Sequence, residues 1–375
     1  MPDLVERLYR SSDLPALRRL WSKVYEAESV DRREAVFRWI GEGNPLTPQG
    51  APRHLILQGD AVVGSLGCLP VKYQLGQEEH TFHFSHDLLV DPQARGLGLG
   101  KKLVNQISGG APGLAGGLWM TDPCYALHQR TGWAAVEPFH GHALPLDAGA
   151  LLRRRLKSPM AAALLALPAA LWLKLSSRKR PRPSLPVHEI QHFDGSVDLL
   201  FTRAAPGLGL IARRTHDYLN WKYCHAPLLD YRKLLVGDPQ GPVAYAVTRL
   251  QERQDGRVNG LIVDLLADPA CAGAFDTAVM AAVSRLGQQG AQVVYLLTTH
   301  APFRRRLEEI GFRQAPTLHT FVVHGQEQLA DQGDPTRSSF WYLTYGDSDG
   351  DMWAEAQSWK TARDDGPRAP RNSGS

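Results

Sequence analysis

The segment His86-Asp87-Leu88-Leu89-Val90-Asp91-Pro92-Gln93-Ala94-Arg95-Gly96-Leu97-Gly98-Leu99-Gly100-Lys101-Lys102-Leu103-Val104 combines titratable side chains, an apolar run, glycines at alternate positions and basic residues. Leu88, Leu89 and Val90 read as a strand that stops at Asp91-Pro92, because proline cannot donate to a ladder and restricts the residue before it. A tight turn follows, and Lys101 to Ile107 carries helical spacing. Such a turn at a helix N-terminus offers successive backbone N–H groups to a phosphate or pyrophosphate, and Arg95 and Lys101 add positive charge beside it. Gly96, Gly98 and Gly100 let a ligand approach the backbone and tolerate positive φ. The spacing has neither the Gly-Lys-Ser/Thr ending of a P-loop nor the G-x-G-x-x-G of a dinucleotide fold. His86 and Asp87 are the titratable groups nearest the strand, with His83 further back. Strand alternation puts His86 and Asp87 on opposite faces, so at most one of them is expected to face a substrate.

The turn resembles the acetyl-CoA loop of the GCN5-related N-acetyltransferases (GNAT), R/Q-x-x-G-x-G/A. Gln93 or Arg95 opens the pattern, and Gly98 and Gly100, or Gly96 and Gly98, are its glycines. The resemblance implies acetyl-CoA as co-substrate and no metal, with a donor site over Leu88, Leu89, Val90, Gln93, Arg95, Gly96, Leu97, Gly98, Leu99, Gly100 and Lys101. It also implies a parted strand whose backbone N–H polarises the thioester carbonyl, which points to the amide of Leu89 or Val90. The general base is then His86 or Asp87, with His86 preferred. The family's general acid is commonly a tyrosine four residues before a Gly-aromatic pair. Counting back from Gly132-Trp133 gives His128 instead, so the acid is either His128 or Tyr125, one turn earlier on the same helix. Thr121-Asp122-Pro123 stands where the family often has Asn-Pro near the pantetheine arm.

The elements around this segment occur twice. Val263-Asp264-Leu265-Leu266-Ala267-Asp268-Pro269 repeats His86 to Pro92, and a helical stretch follows each copy, Lys101 to Ile107 and Phe275 to Leu286. Apolar runs come next (Leu118 to Met120, Val293 to Leu297), then Gly-aromatic pairs at Gly132-Trp133 and Gly311-Phe312. Self-similarity on this scale indicates duplication. The second copy replaces the glycine turn with Cys271-Ala272-Gly273-Ala274-Phe275-Asp276-Thr277, which has one glycine, no cation and an aspartate that would repel phosphate. It also has Val263 where the first has His86 but keeps an aspartate, which suggests a structural role for Asp87. The chain is therefore expected to be α+β, with two tandem GNAT-like domains, each a mixed, mostly antiparallel sheet flanked by helices. The expected divisions are an N-terminal domain with the acetyl-CoA loop over 1–150, a basic and apolar linker over 151–186, a degenerate C-terminal domain over 187–358 and a disordered tail over 359–375.

A chain of 375 residues suits two cores better than one. A net charge of +4 with locally clustered basic residues argues against a nucleic-acid surface. Cys68, Cys124, Cys224 and Cys271 are widely spaced, as expected of reduced thiols rather than disulfides or a zinc site. The polar start Met1-Pro2-Asp3 is no signal peptide, and a cytoplasmic location is expected. Asp13 is placed to cap a helix carrying Leu14, Leu17, Leu20, Trp21 and Val24, and a second helix is expected over Arg32 to Ile40. Strands are expected at His54 to Gln58, Val62 to Pro70, Val71 to Leu75 and His80 to Val90. Between basic flanks, Met160 to Leu173 is too short and too interrupted by Pro168 to span a bilayer. It reads as a helix packed between the halves, the preferred expectation, or as an interfacial helix in peripheral contact with the inner face of a membrane.

The Tyr218-Leu219-Asn220-Trp221-Lys222-Tyr223 cluster resembles an element of two-domain acetyltransferases of surface-glycan pathways, and reads either as acceptor groove or as core. Phe340 to Asp349 reads as a final strand and turn. The function implied is an acyl-CoA-dependent N-acyltransferase acting on a small-molecule or sugar-linked amine, such as an amino sugar. Two alternatives stand beside it. A peptidyltransferase-like tandem protein would use aminoacyl-tRNA, although such proteins lack a pyrophosphate loop. A non-catalytic acyl-CoA-binding protein would make His128 a mark of lost activity. The oligomeric state is not legible.

Overall fold

The computed structural model describes residues 3–356 apart from 48, 49, 51, 111, 112, 150, 151, 153–155, 157, 159, 161–163, 170, 172–174, 176–179, 239, 240 and 254. The first half contains β1 (Leu4–Leu8), α1 (Leu14–Val24), α2 (Ala27–Glu42), β2 (Arg53–Gln58), β3 (Ala61–Leu75), β4 (Glu78–Val90), α3 (Leu99–Gly110), β5 (Leu114–Leu118), α4 (Asp122–Arg130) and β6 (Ala134–Pro145). The second contains β7 (Val187–Ile190), α5 (Ser196–Ala204), β8 (Leu210–Ala212), α6 (His216–Cys224), β9 (Arg232–Asp238), β10 (Gly241–Glu252), β11 (Val258–Ala267), α7 (Ala274–Gln288), β12 (Val293–Leu296), α8 (Ala301–Glu309), β13 (Arg313–His324), β14 (Trp341–Tyr342) and α9 (Gly350–Ala356).

The architecture is α+β, with one departure from the two separate sheets expected. Among the described residues the strands join in one mixed sheet ordered β1-β2-β3-β4-β5-β13-β6-β12-β11-β10-β9-β7. Strand β13 of the second half enters between β5 and β6 of the first, pairing Phe321 with both Leu118 and Val136. Strand β6 in turn pairs β12, Val293 opposite Pro145. The halves therefore complete each other's sheets, and one buried cluster contains Val36, Phe82 and Phe84 with Tyr218, Leu265 and Trp341. Where α2 meets α6, Trp39 and Trp221 stack at 4.5 Å and exchange indole-to-carbonyl hydrogen bonds of 2.9 and 3.0 Å. This places the Tyr218–Tyr223 cluster in the core between the halves.

Several local expectations change. α2 begins at Ala27, a turn or more before the expected start. Asp13 precedes α1 without capping it, because its carboxylate accepts from Arg7 and from the Arg10 amide instead. The two strands expected over 62–75 are one, and Pro70 does not divide them. The β2 ladder ends at Gly67 and the β8 ladder begins at Tyr73, so the N–H that proline lacks has no partner to lose on that edge. Strand β1 lay hidden in a polar sequence; it pairs β2 at the sheet edge and is largely exposed. Among the described residues of the linker, Met160, Leu164, Leu165, Leu167, Leu171 and Leu175 are exposed rather than packed between the halves. The rest of that linker and the tail over 359–375 lie outside the described residues, among which no helix is long and apolar enough to cross a membrane.

Candidate active site

Strands β4 and β5 run parallel through Phe82–Leu114, His83–Ala115 and Phe84–Gly116, and their ladder ends there. Beyond this fork, β4 remains paired only with β3, where the register slips between Gly67–His86 and Ser65–Leu89. The slip is a bulge at Asp87, whose φ of 52° is left-handed. The Asp91 N–H donates to Val63 O, so alternation also turns the Leu89 amide toward β3. The Leu88 and Val90 amides then face the open side of the fork. Of the two amides expected to polarise the carbonyl, Val90's faces the open side and Leu89's faces β3.

The glycine turn begins where β4 ends. Asp91, buried and ion-paired with Lys23, accepts from the Gln93 amide at 3.0 Å and fixes the chain's exit. Gly96 and Gly98 take φ of 85° and 74°, and an added Cβ at either would meet nothing within 4 Å. Lys102 N–H bonds back to Gly98 O at 3.1 Å, while the N–H groups from Arg95 to Lys101 have no acceptor among the described residues. Gln93, Arg95, Leu97 and Lys101 are exposed around them, and Leu99 is buried in the core as the anchor of α3. Unpartnered amides, open glycines and flanking cations fit the diphosphate of a coenzyme.

His86 lies across Gly67, where a Cβ would come within 2.3 Å of the ring. Its Nδ1 is 3.3 Å from Asp349 Oδ2, within ion-pair range but angled away from a hydrogen bond, and the ring stacks on Trp353. Burial pushes the imidazole below the ordinary histidine range, against the pull of Asp349, leaving a neutral ring at neutral pH. Both His86 and Asp87 border a cavity of about 770 Å³, contrary to the expectation that one would face away. The left-handed Asp87 breaks the two-residue alternation. The Asp87 carboxylate is spent on two buried guanidiniums, Arg33 and Arg53, the latter at 2.9 Å. Asp87, Trp119 and Ser348 are the non-glycine residues of positive φ among those described; the first two line the cavity and the third precedes Asp349. Strain concentrated in this way is typical of functional sites.

The expected acids stand apart from His86. His128 is completely buried: Nδ1 lies 2.8 Å from Cys124 O and Nε2 3.1 Å from Ser85 Oγ. The carbonyl only accepts, so the proton sits on Nδ1 and Nε2 takes the Ser85 hydroxyl hydrogen. Burial keeps the ring neutral, and Trp133 covers it edge-on. Ser85 borders the cavity, whereas His128 and Tyr125 do not; Tyr125 packs beside α3. Asp349, Trp119 and Trp353 are residues that sequence reasoning missed. The repeat gives no signal for Asp349 and Trp353, because the segment after β14 reaches the first half through long-range contacts.

Residues 14–133 match the acetyltransferase (GNAT) family. No curated protein matches the chain. Among solved structures, a GCN5-related N-acetyltransferase from Anabaena variabilis is similar at 14% identity and TM-score 0.61, over 86% of this chain and 72% of that one. A GCN5-related N-acetyltransferase from Kribbella flavida is similar at 15% identity and TM-score 0.54, over 86% and 70%. N-myristoyltransferase from Saccharomyces cerevisiae, solved with bound myristoyl-CoA, is similar at 12% identity and TM-score 0.52, over 86% and 83%.

Proposed function

Because residues 14–133 are a domain of the acetyltransferase (GNAT) family, and the chain is thereby an acyltransferase, we propose that it transfers an acetyl group from acetyl-CoA to the nitrogen of an amine. The observation that carries this reading is the glycine turn with unpartnered amides at the end of a forked strand. In this reading the amides from Arg95 to Lys101 hold the diphosphate, with Arg95, Lys101 and Gln93 around it. Leu88 to Val90 line the pantetheine path. Acyl-CoA supplies the activated acyl group.

His86, neutral and facing the cavity, takes the proton that the amine loses on bond formation, and Asp349 stabilises the resulting imidazolium. The Val90 amide donates to the oxygen on which charge develops, with Leu88 beside it. Arg33 and Arg53 behind Asp87 keep that side of the fork cationic. The departing thiolate recovers its proton from His86 or from Tyr125. His128 has no proton aimed at the cavity and serves by orienting Ser85.

The ranges 1–150 and 187–358 are kept as the proposed domains, the second supplying β13 and Asp349 to the first. The location is proposed to be cytoplasmic. The exposed apolar side chains of the linker, with the basic residues around them in sequence, support peripheral contact with an anionic membrane; co-sedimentation with anionic but not neutral vesicles tests it. The central test is calorimetric titration with acetyl-CoA of the wild type and an Arg95→Glu/Gly98→Glu variant. Binding by the first and not the second supports the donor site; a folded wild type that binds no acetyl-CoA overturns it in favour of an aminoacyl-tRNA-dependent or scaffold role.

A further inference from the structure

The far wall of the cavity is the hairpin of β10 and β11. Arg249 and Gln251 on β10 and Arg253 just past its end lie two residues apart along the extended chain. Across the ladder they stand opposite Leu261, Asn259 and Arg257, and all six line the cavity. Arg249 is buried and spent on Asp351, with Nε 3.0 Å from Oδ2. Arg257 Nε lies 2.6 Å from Asp255 Oδ2. Arg253 is exposed, its amide bonded to Arg257 O at 2.8 Å, and its guanidinium has no hydrogen bond or ion pair among the described residues. Like charges directly opposite on paired strands repel, and Asp255 pairs with Arg257. The guanidinium fork matches a carboxylate or phosphoryl group in geometry and charge.

The opposite end of the cavity carries the candidate base. There Asp349 accepts from Ser348 and the Trp353 indole, and its nearest cation-forming partner is the neutral His86. The reacting nitrogen belongs at that end, beside His86, and an anion is favoured at the other. Arg253 is four residues past Arg249 along this extended chain, about 13 Å at the usual rise. Trp119, Tyr295 and Tyr345 line the space between the two ends.

We infer that the acyl acceptor is an amine whose far end carries an anionic group, carboxylate or phosphoryl, gripped by Arg253 with Arg257. The inference rests on acyl transfer at His86 and specifies the substrate class of that site. The experiment offers ω-aminoalkanoates and ω-aminoalkyl phosphates of graded chain length, beside n-alkylamines of the same lengths. Thiol release from acetyl-CoA is followed for wild type, Arg253→Gln and Arg253→Lys. At the best length the anionic acceptors are expected to exceed the alkylamines in kcat/KM by about tenfold or more, the worth of one charge-assisted hydrogen bond. Arg253→Gln raises KM for them alone, Arg253→Lys keeps part of the preference, and acetyl-CoA affinity is unchanged in both. Whichever anionic series is better identifies the group. Equal or faster turnover of alkylamines, an equal loss for both classes in Arg253→Gln, or no turnover of anionic acceptors by an enzyme that binds acetyl-CoA overturns the inference. Failure of the wild type to bind acetyl-CoA overturns the acyl-transfer reading instead.

Discussion

The two copies of the strand–turn–helix unit share a backbone plan and differ in what occupies it. Each has a strand that forks from its parallel neighbour, β4 past Phe84 and β11 past Ile262, and each has a bulge beside an inward aspartate, Asp87 or Asp264. In the first copy the fork is open to a cavity and the turn's amides are unpartnered. In the second, Gly346 N–H bonds Val263 O at 2.7 Å and Tyr342 donates to Leu265 O at 2.6 Å, so β14 and the segment after it fill the fork. Its turn is closed as well: Ser184 Oγ lies 2.7 Å from where a Cβ on Gly273 would be, and the Ser184 amide donates to Thr277. The charges invert too. Asp87 has two guanidiniums to itself, whereas Arg214 serves two carboxylates, Asp264 and Asp347. The segment that plugs the second fork continues into Asp349 beside His86. The copy whose fork is filled thus supports the copy whose fork is open, and its plug delivers a carboxylate beside His86.

The comparison breaks if both turns bind coenzyme. Arg95→Glu/Gly98→Glu should abolish turnover and weaken acetyl-CoA binding by about a hundredfold or more, as negative charge replaces an anion site. Ala272→Glu, at the corresponding exposed turn of the second copy, should change neither, and calorimetry separates the two. A smaller effect is expected at the first copy's fork. His86→Gln should lower kcat by about 10²–10⁴-fold, the usual worth of a positioned base. The acidic limb of kcat/KM reports the free His86 and should lie below the ordinary histidine range, since burial favours the neutral ring. Asp349 pulls that value upward, so Asp349→Asn should move the limb to still lower pH. A limb that stays in place would remove His86, or its carboxylate, from the chemistry.

The second copy sharpens the contrast through stability. Arg214→Met leaves Asp264 and Asp347 buried with their shared guanidinium gone, and should cost about 3–5 kcal/mol in denaturant unfolding. Arg33→Met leaves Asp87 with Arg53 and should cost less, while reducing turnover. Equal losses of stability would mean that the inverted stoichiometry has no energetic meaning.

What the sequence disclosed and concealed follows the range of the interactions. The turn was legible because Gly96, Gly98 and the flanking cations act within a few residues of one another, and the duplication because each copy repeats its own strand and helix. The Asp87 bulge was not, since period-two reasoning assumes unbroken alternation and a left-handed aspartate is held there by Arg33 and Arg53 from other elements. Nothing local marks Asp349 as a partner of His86, or β13 as the strand between β5 and β6. Tyr218–Tyr223 was ambiguous because aromatic residues at helical spacing serve a groove and a core equally well; the stacked Trp39 decides for the core.

The smallest expected effect concerns the histidine in the tyrosine's usual place. If His128 were the general acid, His128→Asn would lower kcat by about a hundredfold or more and erase the basic limb of the pH profile. The structure argues otherwise, because its one ring proton is committed to Cys124 O and its other nitrogen accepts from Ser85. Ser85→Ala should then leave a buried Nε2 without a donor, costing about 1–3 kcal/mol of stability, and reduce kcat by less than about tenfold. Tyr125→Phe is the companion variant. A loss there that exceeds the loss in His128→Asn assigns proton return to the hydroxyl one turn earlier. If both variants keep their basic limb, His86 alone carries the proton from amine to thiolate, and the departure from tyrosine at 128 is a change in packing around Trp133 rather than a mark of lost catalysis.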